Sequence, residues 1–194
     1  MKKLVILGAN GQIARVTIQL LLKKNELELT LFARNANRLK DLASESKRIH
    51  VVEGDVLNFD KLKAVITGQD IVYANLSGNL EAMAKNIVKA MKETGAHKIL
   101  FISSIGIYKV PLKPVLVPYR KAADVIEASG LEYTVLRPTW FTDDDEVDYE
   151  TTPKGEPEKG TVVSQKSLAS LIVNIIDSPE NYIRQNLGVN KPGS

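Results

Sequence analysis

Two glycines three residues apart carry the first hint of chemistry in this 194-residue chain. Gly8-Ala9-Asn10-Gly11-Gln12-Ile13-Ala14 follows an apolar run and opens a segment of helical period. In that setting Gly8 permits a tight turn, and Gly11 lets the backbone N–H groups around Asn10, Gln12 and Ile13 come close to a pyrophosphate. The small Ala14 then lets helix and strand pack closely. An anion held there would sit at the positive end of the helix. The bland alternative is an ordinary strand-to-helix turn with two glycines; the order strand, turn, helix favours the phosphate.

Roughly 20 residues past such a turn, an acid usually accepts hydrogen bonds from a ribose 2′-hydroxyl. This chain instead has Ala33-Arg34-Asn35, with Arg38 one helical turn on. A guanidinium there suits a 2′-phosphate, so NADP(H) is expected over NAD(H). Further on, Glu53-Gly54-Asp55-Val56 ends an apolar run. Asp55 could accept a bond from an adenine amino group while Val56 covers the ring. The run Ala74-Asn75-Leu76-Ser77-Gly78 is small and polar where the chain would pass a ribose.

The elements that must position these residues alternate along the chain. Strand-like runs are read at Leu4–Leu7, Glu28–Phe32, Ile49–Val52, Ile71–Ala74, Lys98–Ile102 and Tyr133–Leu136. Between them lie segments of helical period: Ile13–Lys24, a polar stretch from about Asn35 to Ala43, a short one around Leu62, Val65 and Ile66, a stripe from Leu80 to Met91 stopping at Gly95, and about Tyr119–Ser129. A final amphipathic helix covers Ser167–Asp177, with Ser164 or Ser167 as its cap. Six such runs separated by helices predict an α/β fold, a doubly wound parallel sheet covered on both faces. Ligands of such sheets bind beyond the carboxyl ends of the strands. One domain is expected, with substrate-side insertions at about 105–118 and 139–160.

Composition narrows the function classes. Cysteine is absent and histidine is limited to His50 and His97, so disulfides, thiolate nucleophiles and Cys- or His-built metal centres are excluded. A net charge of +3 from 26 basic and 23 acidic residues is too balanced for a nucleic-acid surface. The apolar run before Gly8 is shorter than a signal-peptide core, and no stretch approaches the roughly 20 apolar residues of a membrane helix. A cytoplasmic location without nucleic-acid or membrane partners is the expectation. The acidic run Asp143-Asp144-Asp145-Glu146 lacks the turn glycine of a cation-binding loop and reads as a solvated surface. The turn-rich Pro153–Gly160 reads as a mobile flap.

Taken together, Gly8–Ala14, Gly54-Asp55-Val56, Phe101-Ile102-Ser103-Ser104-Ile105-Gly106-Ile107-Tyr108 and Ala128-Ser129-Gly130-Leu131-Glu132-Tyr133-Thr134-Val135-Leu136-Arg137-Pro138 resemble the atypical short-chain dehydrogenase/reductases, in particular their NAD(P)H-binding, NmrA-like branch. The resemblance implies a Rossmann fold, a nicotinamide dinucleotide and, in many members, hydride transfer to a small organic acceptor. It places Ser103 and Pro138 beside the cofactor, matches Ser104 to the family's serine and matches Lys121 to the lysine that holds the nicotinamide ribose. The family's tyrosine, four residues before that lysine, is Val117 here. Tyr119 is a substitute if the helix begins irregularly after Pro118, and Tyr108 is a second candidate. A flavin- or quinone-like acceptor can take its proton from solvent, and Trp140 and Phe141 could offer such a planar molecule an aromatic wall. Two readings follow: an oxidoreductase with a small-molecule acceptor, or a non-catalytic redox sensor that acts through a protein partner.

Overall fold

The first strand, β1 (Lys2–Leu7), sends Leu4 and Ile6 into one apolar layer and Val5 and Leu7 into another. A strand buried on both faces has to lie inside a sheet with helices on each side. The computed structural model, which describes residues 1–194, shows this arrangement. After β1 come α1 (Gln12–Leu22), β2 (Leu27–Ala33), α2 (Lys40–Glu45), β3 (Ile49–Glu53), α3 (Phe59–Ile66), β4 (Ile71–Ala74), α4 (Leu80–Thr94), β5 (Lys98–Ile102), α5 (Val117–Glu127) and β6 (Glu132–Pro138). The chain continues through β7 (Trp140–Thr142), β8 (Glu150–Pro153), β9 (Val162–Ser164), α6 (Gln165–Asp177) and β10 (Gln185–Asn190).

The main sheet has eight strands in the order β3-β2-β1-β4-β5-β6-β10-β8. All neighbours are parallel except β8, which runs antiparallel to β10. β7 and β9 form a separate parallel pair. Helices α1 and α6 cover one face through Ile13, Ile18, Leu21, Leu168 and Ile172. Helices α3, α4 and α5 cover the other through Leu62, Ile66, Ile87, Met91, Ala122 and Ile126. No helix is long and apolar enough to cross a membrane.

The doubly wound sheet is as expected, and the structure adds strands to it. Four strands, β7 to β10, lie beyond the six apolar runs, and the antiparallel β8 makes the sheet mixed. β8 reads Glu-Thr-Thr-Pro and β10 reads Gln-Asn-Leu-Gly-Val-Asn, so neither shows an apolar run; each exists through pairing with distant residues. Pro153 is tolerated because β8 is an edge strand. The helix expected over Asn35–Ala43 is a 3₁₀ turn, Ala36–Leu39, followed by the short α2. α5 begins at Val117, before Tyr119, because a proline in the first turn lacks only an N–H that has no helical partner anyway.

Sheet order reverses direction between β1 and β4, which leaves a crevice at their carboxyl ends. The loops after β1, β2, β3 and β4 all open into it.

Candidate functional site

The loop after β1 is shaped by how closely two chain segments approach. Gly8 has φ of +81°, and a Cβ built on it would lie 2.1 Å from the Asn75 carbonyl oxygen. A Cβ on Gly11 would lie 2.4 Å from the Asn75 side-chain nitrogen. The loop folds back on itself through the Gly11 N–H to the Gly8 carbonyl at 2.9 Å, and Asn75 N–H bonds to Leu7 at 2.9 Å. Gly11 stands at the N-cap of α1 and offers no side-chain cap, and the first turn carries no acid. The N–H groups that open α1 therefore keep their donors and their positive end for a ligand.

A groove of about 360 Å³ runs from this loop past the ends of β2, β3 and β4, lined by Gly8, Asn10, Gly11, Arg34, Asp55 and Asn75 among others. Val56 and Leu76 line it too. Arg34 and Arg38 are exposed at its rim. One oxygen of Asp55 accepts the Leu57 N–H at 2.8 Å, which shapes the turn after β3. Asn86 of α4 donates to the Val56 carbonyl at 3.1 Å and pins that turn from below. Gly54 is needed because the Phe32 ring would lie 2.5 Å from a Cβ there. Phe32 and Met83 also line the groove, although their apolar side chains read in the sequence as core alone.

Asn10 donates to the Asn35 carbonyl at 2.8 Å, while its side-chain oxygen is buried with no partner. An orphaned acceptor beside a glycine cradle suits a ribose hydroxyl, because leaving it unpaired is costly. The cradle, the open helix end, the rim arginines and this acceptor together fit a dinucleotide.

On the far side of the crevice, Ser103 is buried and Ser104 half-buried after β5, and Ala74 and Pro138 are buried at the ends of β4 and β6. The Ser103 hydroxyl donates to the Tyr119 carbonyl at 3.4 Å. Gln12 is exposed and Ile13 buried at the start of α1. Lys121 is exposed, its Nζ 3.1 Å from Glu81 at the start of α4. The Lys85 and Lys121 ammonium groups beside Glu81 hold its carboxyl below the usual range. Because α5 is regular from Val117, Tyr119 and Lys121 point to different sides of it. Tyr119 packs against the apolar layer beneath the helix. The structure does not bring the two together, and the irregular start that would have done so is absent.

Tyr108 is not among the residues that line the groove. Its hydroxyl lies 3.3 Å from Glu127 and accepts from Asn186 at 2.8 Å. Burial, then the Glu127 charge, push its pKa up. Three cations surround its ring: Arg120 and Lys154 each at 4.7 Å from the centroid and Arg137 at 5.2 Å. Arg137 is 1% exposed, donates to Asn186 at 2.8 Å and pairs with Glu158. Glu158 also accepts the Gly106 N–H through both oxygens, at 3.1 and 3.0 Å. Lys154 pairs with Glu127 at 2.7 Å. The Pro153–Gly160 stretch, expected as a mobile flap, is thus tethered near both ends. Residues 21 and 27 positions apart make these pairs, and no local pattern announces them.

Trp140 is 79% exposed and Phe141 42% exposed on β7, just past β6. The acidic run is spread among partners: Asp143 accepts from Gln165, Asp145 pairs with Lys166, and Glu146 pairs with Lys191.

A glycine-turned βα unit at the switch point of a mostly parallel sheet defines a dinucleotide-binding α/β domain of the Rossmann type. Residues 8–179 match the model of the NAD(P)H-binding family, and the chain belongs to that family. A Rossmann-fold NAD(P)-binding family protein from Shigella flexneri is 47% identical, with a TM-score of 0.90 over 100% of this chain and 95% of that one. A short-chain dehydrogenase/reductase from Veillonella parvula DSM 2008, solved in complex with NADP, is 29% identical, with a TM-score of 0.90 over 99% and 95%. An isoflavone reductase homologue of Nicotiana tabacum is 25% identical over 91% of this chain, which spans 64% of that protein's length. The resemblance to short-chain dehydrogenase/reductases read from the sequence agrees with these findings.

Proposed function

We propose that the protein is an NADP(H)-dependent oxidoreductase of the atypical short-chain type, passing hydride to a small planar acceptor of flavin or quinone character. The observation that carries the cofactor choice is at the end of β2: Arg34 and Arg38 share the groove with the glycine loop. In this reading the open end of α1 with Gly8, Gly11, Gln12 and Ile13 holds pyrophosphate, and Asn10 accepts from a ribose hydroxyl. Arg34 and Arg38 hold the 2′-phosphate. Asp55 and Val56 take the adenine, and Ala74, Asn75 and Leu76 pass along the ribose. Ser103, Ser104, Lys121 and Pro138 border the nicotinamide half.

The bound cofactor supplies the hydride. This chain's part is to orient the ring and to shield one face of it. Tyr119 and Lys121 do not form a proton-donating pair, which suits an acceptor whose proton comes from water. The exposed Trp140 is placed to stack such a molecule. The segments 105–118 and 139–160 are read as substrate-side additions to one domain.

Calorimetric titration with NADPH and NADH tests the cofactor. A hydrogen bond to a charged group contributes about 1.5–3 kcal/mol, so Arg34→Ala should weaken NADPH about ten- to a hundredfold and leave NADH unchanged. Equal affinity of the parent for both dinucleotides would sink the assignment.

One observation favours a second reading. Lys121 is engaged by Glu81 and Tyr119 is turned elsewhere, as suits a redox sensor that binds NADPH without turnover and signals to a protein partner. Oxidation of NADPH in the presence of flavins, quinones or aldehydes decides: no rate above background with tight binding intact selects the sensor.

A further inference from the structure

The peptide that follows Ser103 and Ser104 is held from two directions. Ser103 N–H bonds to Leu136 at 2.8 Å and Ile105 N–H to Pro138 at 3.1 Å, so β6 zips the loop along one side. The next donor, Gly106 N–H, turns away from β6 and is taken by both oxygens of Glu158. Glu158 comes from a segment 52 residues further along the chain, and its own charge is met by Arg137, one residue before Pro138. A single carboxylate therefore ties the loop after β5 to the end of β6.

A buried ion pair of this kind adds little net stability compared with an apolar pair of similar volume, because both charges lose their hydration. Its value lies in direction. Arg137 holds one oxygen of the carboxylate, and both oxygens accept the Gly106 N–H, so the loop is held where it now stands. Arg137 is itself steered by Asn186, whose amide also bonds to Tyr108 and, at 2.9 Å, to Glu127 of α5. Elements on three sides of Glu158 thus fix its position.

We propose that Glu158 is a positioning residue for the nicotinamide half of the site. Through the Gly106 N–H and Arg137, it sets the wall formed by Ser103, Ser104 and Pro138. The proposal rests on the reading that this wall borders the nicotinamide. It predicts that the adenine half of the groove, built on β1 to β4, is indifferent to Glu158.

Two ligands separate the halves: NADPH, which fills both, and 2′,5′-ADP, which fills only the adenine half. Glu158→Gln keeps an acceptor but loses the charge, and Glu158→Asp keeps the charge but withdraws it from Gly106 by one methylene. Either variant should lose five- to twentyfold in NADPH affinity and reduce the rise in NADPH fluorescence on binding, with 2′,5′-ADP affinity within twofold of the parent. Glu158→Asp carries the test if the glutamine variant does not fold. NADPH affinity and fluorescence like the parent's in a folded variant overturn the proposal. Equal losses for NADPH and 2′,5′-ADP overturn it too, since they mark Glu158 as a support of the whole fold. Failure of the 2′-phosphate reading looks different: the parent then binds 2′,5′-ADP no tighter than 5′-ADP, and the variants are compared with NADH and 5′-ADP instead.

Discussion

Single atoms left without partners are informative in this molecule because few exist. Five buried side-chain atoms lack a hydrogen bond, and only the Asn10 oxygen belongs to a residue of the glycine loop. The Tyr73 hydroxyl is another, fully buried on β4 beneath α1. An orphaned buried hydroxyl costs about 1–3 kcal/mol, whereas an aromatic ring of the same outline costs nothing there. Tyr73→Phe is therefore expected to stabilise the protein by about 1 kcal/mol. A thermal melt reads this directly, and an unchanged or lower melting temperature would show that the hydroxyl has a partner in solution. Asn10 does not invite the same repair, since in the function proposed above a ribose hydroxyl donates to its orphaned oxygen.

At the scale of elements, legibility follows from where the stabilising contacts lie. Past the lysines that open β1 and β5, the strands β1, β4 and β5 are buried on both faces, so their runs are apolar and announce strands. The turn after β1 is legible for a related reason: a would-be Cβ on Gly8 would meet the Asn75 carbonyl at 2.1 Å, and one on Gly11 the Asn75 side chain at 2.4 Å. β8 and β10 are illegible because their residues gain from partners supplied by a sheet edge and not from their own pattern. The pairing of Arg137 with Glu158 is invisible on the same grounds. α6 shows the opposite case, a boundary written locally. The Ser164 hydroxyl accepts the Ser167 N–H at 3.0 Å, and it lies 3.0 Å from the Glu146 carbonyl. Ser164→Ala should lower stability by about 1–2 kcal/mol, seen as a lower urea midpoint at unchanged slope. A midpoint within error of the parent would mean that α6 is held by its apolar face alone.

Across the whole molecule, three of the groups whose pKa is raised act together on the alkaline side. Burial pushes the Tyr73 phenol far above its ordinary value of 10.0. Burial and Glu127 push Tyr108 upward. Burial lowers the Lys154 ammonium, but Glu127 and Tyr108 beside it leave it above its ordinary 10.5. A group whose pKa is raised by folding contributes stability that is complete below the unfolded value and is lost as pH rises through the folded one. Stability should thus hold from neutral pH to about pH 10 and fall beyond it. The fall should be shallower in Tyr73→Phe, where one of the three groups can no longer ionise. Urea midpoints at about pH 8 and about pH 11 check this, and a parallel decline in parent and variant would contradict it.

The molecule also contains one indole, and nearly four-fifths of it faces solvent on β7. Every photon of tryptophan emission therefore originates from the rim past β6 and none from the core. Without a bound acceptor its colour should be that of an indole in water, and its emission overlaps the absorption of a reduced nicotinamide. The protein thus carries an optical reporter of its own: quenching by cofactor would measure how near that rim lies to the ring, and quenching by a candidate acceptor would show stacking before any turnover is sought.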